Sequence, residues 1–134
     1  MSEAEQLIRD FWRDMNGNDW QAVAARYLAD DFEGFWPQSA EVIGGRDDFA
    51  RVNGAFPGQG GWRFRIVSLL ADGERAVSDT GVTQKDLAIT ARAITFHEIA
   101  GGRIRRQTEF WPDPYPVPDW RAGLLAVDPS RAGL

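Results

Sequence analysis

Cysteine is absent from the chain, and histidine occurs once, as His97. The first absence excludes a disulfide framework, a thiolate metal site and a cysteine nucleophile. The second leaves no histidine pair at zinc-ligand spacing, and carboxylates alone make a weak case for a metal. No apolar run approaches the roughly 18 to 20 residues needed to cross a bilayer. The start, MSEAEQLIRDFW, lacks the basic and apolar regions of a signal peptide. The formal charge is -5, a single residue of the 15 basic ones is lysine, and no basic stripe can neutralise phosphates. Gly58-Gln59-Gly60-Gly61 lacks the lysine of a phosphate loop, and neither a nucleophile elbow nor a Ser-His-Asp order occurs. These absences predict a cytoplasmic protein that acts without cofactor or metal and binds neither nucleic acid nor membrane.

Aromatic residues, by contrast, are plentiful. Six tryptophans in 134 residues exceed what a minimal core needs, and a buried indole N–H wants a partner. The length predicts one domain over residues 1–134, with 112–134 as a closing arm and tail.

Helical spacing of Leu7, Ile8, Phe11, Trp12 and Met15 predicts a helix over 3–15, capped by Ser2 and stopped by Asn16-Gly17-Asn18. A second helix follows Asp19, with Trp20, Val23, Ala24, Tyr27 and Leu28 on one face, and a third spans about 47–56, ended by Pro57-Gly58. Short strands are predicted near 32–37 and 41–43. From Trp62 the period changes to two, giving strands over 62–70, 76–83, 88–99 and 103–111 joined by hairpin turns. Helices first and antiparallel strands after them predict an α+β domain with helices on one sheet face. Four prolines between Pro112 and Pro118 predict an extended arm.

The last hairpin carries the strongest inference. A three-residue Ala100-Gly101-Gly102 loop would pair Ile99 with Arg103. Ala91, Ala93, Thr95, His97 and Ile99 would then share a face with Arg105, Gln107, Glu109 and Trp111. Small residues opposite Glu109 would leave space there. Ile94, Phe96, Ile104, Thr108 and Phe110 would occupy the other face.

The segments FWRDMNGNDW, IGGRDDF and GGRIRRQTEFWPDP resemble the SnoaL-like branch of the nuclear transport factor 2-like superfamily, over roughly residues 3–113. Trp36 to Arg46, Thr108 to Tyr115 and Pro118 to Arg121 are especially similar to uncharacterised bacterial members. The resemblance implies a strongly curved, mostly antiparallel sheet wrapped as a cone around a pocket, closed by three N-terminal helices. It also implies a homodimer through the outer sheet face. Members include polyketide cyclases, ketosteroid isomerases, limonene-epoxide hydrolases, scytalone dehydratases and domains that only bind. Glu109 falls where several of the enzymes place a final-strand aspartate. The epoxide hydrolases need Arg-x-Asp on the fourth strand, where this chain has Asp79-Thr80-Gly81; Glu33 and Phe35 replace their first-strand tyrosine and asparagine. That mechanism is disfavoured.

Glu33, Asp79, His97 and Glu109 are candidates for an inward-facing set, in which two close carboxylates would drive one pKa toward neutrality. Glu109 is the candidate acid or base, with Asp79 and His97 as catalytic partners. Glu33, Phe35, Trp36, Thr95, Gln107 and Trp111 are candidate substrate contacts, and Trp36 and Trp111 could donate N–H groups to an enolate. Simpler roles stand beside these: Asp79 paired with Arg92 or Arg75, His97 satisfied in a cavity wall, Glu33 solvated, Glu109 in a salt bridge. The expected function is cofactor-independent isomerisation, cyclisation or dehydration of a small, largely apolar molecule. The alternative is a non-catalytic ligand-binding or dimerisation domain.

Overall fold

The computed structural model describes residues 1–56 and 60–131. The predicted end of the third helix at Pro57-Gly58 and the first half of the glycine-rich loop lie outside the described residues.

Helix α1 spans Glu3–Met15; Ser2 Oγ accepts the Glu5 N–H at 3.0 Å. Ala4, Ile8, Phe11, Trp12 and Met15 bury one stripe of it. Helix α2, Trp20–Tyr27, is capped by Asp19, which accepts the Ala22 N–H at 3.1 Å. Helix α3, Gly45–Ala55, buries Phe49.

Six strands form one mixed sheet: β1 Leu28–Trp36, β2 Glu41–Gly44, β3 Trp62–Asp72, β4 Arg75–Gln84, β5 Ile89–Ala100 and β6 Arg103–Phe110. Their spatial order is β2-β1-β6-β5-β4-β3, with β1 and β6 parallel and the other neighbours antiparallel. The sheet is open, and the helices pack on its concave face around Phe11, Trp12, Tyr27, Leu28, Phe32 and Ile104.

The helix stop at Asn16-Gly17-Asn18 does more than end α1. Asn16 Oδ1 accepts the Phe64 N–H at 2.8 Å while its Nδ2 donates to the Phe64 carbonyl at 3.2 Å. Asn18 repeats the pattern on Trp62, at 2.9 and 3.0 Å. An amide side chain offers one donor face and one acceptor, as a backbone residue does. The two asparagines therefore pair with the sheet edge at β3 as a further strand would.

The β5–β6 hairpin corrects the expected register. Its turn is the two-residue Gly101-Gly102, with φ of +58° and +74°, and it pairs Ala100 with Arg103 instead of Ile99 with Arg103. Positive φ at both positions belongs to a type I′ turn, for which glycine carries no steric cost. That shift alone would turn every later β6 side chain to the wrong face. A bulge restores the phase, since Ile99 pairs with Ile104 but Glu98 with Arg106. Ile104 is consequently in the core, contrary to expectation, and Arg105 points outward to Asp31 at 3.1 Å. Beyond the bulge Thr95, not Ala93, stands opposite Glu109.

Candidate functional site

On the concave face, alternation along three strands brings Ser78 and Thr80 of β4, Thr95 and His97 of β5, and Gln107 and Glu109 of β6 to one side. All but Glu109 are buried, and Glu109 is half-buried because it opens on a cavity. Its carboxyl is held on both oxygens. Trp36 Nε1 donates to Oε1 at 3.2 Å, and Thr95 Oγ1 donates to Oε2 at 2.6 Å. Burial pushes the Glu109 pKa up, against the opposing pull of the Thr95, Trp36 and Trp111 side chains. Among the described residues no cation opposes that rise through an ion pair.

Two adjoining spaces meet there. A small chamber of about 40 Å³ contains Glu109 and Gln107 and is walled by Phe11, Trp12, Gly34, Ile43 and Phe49. Next to it lies a cavity of about 300 Å³ bounded by Trp20, Val52, Phe56, Trp62, Val82 and Ala91. Trp36, Asn53, Phe64 and Trp111 line both. A chamber of 40 Å³ admits a few atoms at most, given that one water needs roughly 10 to 15 Å³ by the same measure. Of the two, only the larger space has room for the body of a small molecule.

His97 lies behind this site. It is 1% exposed, with Nε2 2.8 Å from Ser78 Oγ and Nδ1 3.2 Å from Gln107 Nε2, and its ring meets Phe11 edge-on. Facing the Gln107 amide nitrogen, Nδ1 accepts, which leaves the neutral ring donating Nε2–H to Ser78. Burial lowers its pKa from 6.5 to about 3. Ser78 also accepts the Trp12 indole N–H at 3.1 Å. His97 is thus linked to the chamber wall through Gln107, with no contact to Glu109.

Three expected placements are corrected. Asp79 lies on the convex face, where Arg92 grips both carboxylate oxygens at 2.7 and 2.8 Å; it forms no pair with Glu109. Glu33 is exposed on β1, and Phe35 shares its side, because Phe32, Gly34 and Trp36 take the inward positions. The Trp36 N–H is engaged by Glu109, so it is not free for an enolate. Thr95, Gln107, Trp36 and Trp111 do gather around Glu109.

Several wall residues escaped the sequence reading. Trp20, on the shared face of the second helix, and Trp62, at the start of a predicted strand, both bound the larger cavity. Asn53 touches both spaces; its Nδ2 donates one hydrogen to the Phe49 carbonyl at 2.8 Å. The second amide hydrogen and Oδ1 remain for a ligand. The i, i+3, i+4, i+7 spacing of Phe49, Val52, Asn53 and Phe56 was the signal that could have found this face. After β6, residues 112–118 form neither helix nor strand, and a single 3-10 turn, Asp119–Arg121, follows; among the described residues none beyond Trp111 lines either space, so the predicted closing arm does not cover them. Among the described residues no three His, Asp or Glu side chains gather as a metal site, and no helix is long and apolar enough to cross a membrane.

A family model for the SnoaL-like domain matches residues 8–107. The structure of a candidate ketosteroid isomerase from Kribbella flavida is similar at 32% identity with a TM-score of 0.83, covering 98% of this chain and 94% of that one. A candidate SnoaL-like polyketide cyclase from Jannaschia superposes with a TM-score of 0.68 at 12% identity, covering 81% and 85%. A LEH-like epoxide hydrolase from M. tuberculosis gives 0.68 at 19%, covering 82% and 83%. The last two likenesses concern the fold alone. No curated protein matches the chain.

Proposed function

For a chain that belongs to the SnoaL-like domain family, we propose cofactor-independent acid–base chemistry on a small, largely apolar molecule, of isomerase, cyclase or dehydratase type, with Glu109 as the catalytic group. One observation carries this reading: the half-buried Glu109 carboxyl, with no ion-pair partner among the described residues, faces a mostly apolar cavity. Desolvation moves its pKa toward the range in which a carboxylate can take a proton and, as the acid, give it back. A single such group suffices for isomerisation of a β,γ-unsaturated ketone, by removing a proton from the α-carbon and returning it to the γ-carbon of the resulting dienolate. Trp36 and Thr95 keep the carboxylate aimed while it is charged. Asn53, in the wall of both spaces with a second amide hydrogen left over, is the donor we assign to the substrate oxygen. Asp79 and His97 have no part in the step.

The test begins with a thermal-shift screen of steroids, polyketides, terpenoids and aromatic acids. Ketone hits are then followed for exchange of α-protons in D2O by NMR. The wild-type protein should catalyse exchange, and Glu109→Gln should slow it at least about 100-fold. Normal exchange by Glu109→Gln would overturn the assignment.

The second reading, a ligand-binding domain without catalysis, draws support from the narrowness of the chamber that holds Glu109. Ligands that stabilise wild type and Glu109→Gln equally, with no exchange by either, would select it.

A further inference from the structure

Three indoles line the small chamber, and the N–H of each is already engaged. Trp12 donates to Ser78 and Trp36 to Glu109, and Trp111 also bonds the Glu109 carboxyl. What stays open is an acceptor. Gln107 is 7% exposed and borders the chamber. Its Nε2 lies against His97 Nδ1 at 3.2 Å, so its Oε1 is at the opposite end of the amide. Among the described residues Oε1 has no hydrogen-bond partner. It is not sealed in either, since the enclosed side-chain atom without a partner is Thr80 Oγ1. The open space that Gln107 borders is the chamber, and the unpaired oxygen looks into it. An acceptor so nearly buried is costly to leave without a donor, which favours a ligand that brings one.

A chain of polar groups behind the wall holds the amide this way round. Ser78 Oγ accepts from the Trp12 indole, which can only donate, and lies 2.8 Å from His97 Nε2. With Nε2–H directed at Ser78, the ring keeps one acceptor, Nδ1, and that acceptor takes the amide nitrogen, not the oxygen. A charged ring would donate from both nitrogens and turn the amide about. Burial lowers the His97 pKa to about 3 and so keeps the ring neutral.

Size sets the rest. Gln107 and Glu109 stand two positions apart on one face of β6, roughly 6.7 Å along the strand. The chamber they share holds about 40 Å³, room for only a few atoms between them. A group that donates to Gln107 is therefore within a few bonds of the carbon that faces Glu109.

We propose that Gln107 Oε1 selects ligands carrying a hydroxyl on the end that enters the chamber, and that His97 is the positioning residue that keeps this oxygen turned inward. The substrate class narrows to hydroxylated, largely apolar molecules, such as phenols and hydroxy ketones. This rests on the reading that the substrate reacts at Glu109.

The probes are 2-naphthol and 2-fluoronaphthalene, flat apolar bodies of similar size, of which only the first donates. In isothermal titration calorimetry the wild-type protein should bind 2-naphthol about tenfold more tightly. Gln107→Met, unbranched and of similar length, should bring that ratio to about twofold or less. His97→Leu should lower it likewise, whereas His97→Asn, whose Oδ1 stands near the place of Nδ1, should keep it. The single histidine also allows a test without ligand: long-range 1H–15N correlation should show Nε2 protonated and Nδ1 bare. If Gln107→Met fails to fold, the His97 pair and the ring protonation decide. Binding of neither probe, equal binding of both, a preference retained by Gln107→Met or by His97→Leu, or a proton on Nδ1 would overturn the proposal. Catalysis fails separately. Normal proton exchange by Glu109→Gln would remove Glu109 as the catalytic group and leave the hydroxyl preference standing. A missing preference with exchange still dependent on Glu109 would remove only the role of Gln107.

Discussion

Trp36 on β1 donates its indole N–H to Oε1 of Glu109 on β6, across the parallel pairing of the two strands. The same indole walls both the small chamber and the larger cavity. One residue thus supplies the apolar surroundings that raise the Glu109 pKa and a hydrogen bond that restrains the rise. The effects differ in origin, so substitution separates them.

Trp36→Phe keeps a ring in the wall and removes the donor, and Thr95→Val removes the donor on the other oxygen. Both donors favour the ionised carboxyl. Each variant should therefore titrate Glu109 at a higher pH than wild type, read from the carboxyl signal of 13C-labelled glutamate. Thr95→Ser should restore the wild-type midpoint. An unchanged midpoint in Thr95→Val would refute the coupling.

The raised Glu109 pKa also predicts a stability cost. In the unfolded chain the carboxyl ionises near its ordinary 4.5; in the folded protein it does so at higher pH. Below 4.5 both states bind the proton and the contribution to folding is intact. As pH rises from 4.5 through the folded pKa, the unfolded state gives up its proton first and that contribution is lost. Glu109→Gln abolishes the loss, and its amide can still accept from Trp36 and donate to Thr95 Oγ1. Its Tm should match wild type near pH 4 and exceed it at pH 8. A gap that does not grow with pH would contradict the buried-carboxyl picture.

His97 acts in the opposite direction. Its pKa falls from 6.5 to about 3, so below 6.5 the unfolded chain takes up a proton that the folded protein refuses. Stability is lost as pH drops from 6.5 toward 3, at about 1.4 kcal/mol per pH unit. Between pH 7 and 5, wild type should lose roughly 2 kcal/mol relative to His97→Gln, measured by urea titration at each pH. The His97 ring proton shifts should stay constant from pH 8 to 5. A ring that titrates near pH 6.5 would place a proton, and a charge, where none is expected.

Period and parity explain what could be read from the chain. The helix caps at Ser2 and Asp19 and the strand phases were legible because local hydrogen bonding and alternation set them. Thr95, Gln107, Glu109 and Trp111 were grouped correctly although the hairpin register was wrong. The turn shifted pairing by one and the bulge by one more, and an even shift preserves the face. Ile104 and Arg105, between turn and bulge, were misplaced for the same reason. Glu33 and Phe35 could have been excluded by alternation alone, since an inward Trp36 makes Gly34 its inward neighbour. Asp79 sits between the inward-facing Ser78 and Thr80, which likewise sends it outward. The asparagine clasp on β3 had no local signal, because its partners lie 44 and 48 positions away.

That clasp yields the last expectation. Asn16 satisfies the N–H and carbonyl of Phe64 at the sheet edge, and Phe64 lines both spaces beside Glu109. Asn16→Ala strips both partners from a part-buried edge and should cost about 2 kcal/mol in urea denaturation at unchanged m-value. Asn16→Asp keeps an acceptor for the Phe64 N–H but sets a carboxylate oxygen against the Trp12, Arg13 and Phe64 carbonyls at a helix C-terminus, so its cost should be at least as large. Because β3 then exposes unpaired backbone, Asn16→Ala should also aggregate faster at equal fractional unfolding, monitored by light scattering. A cost for Asn16→Ala below about 0.5 kcal/mol would refute the clasp.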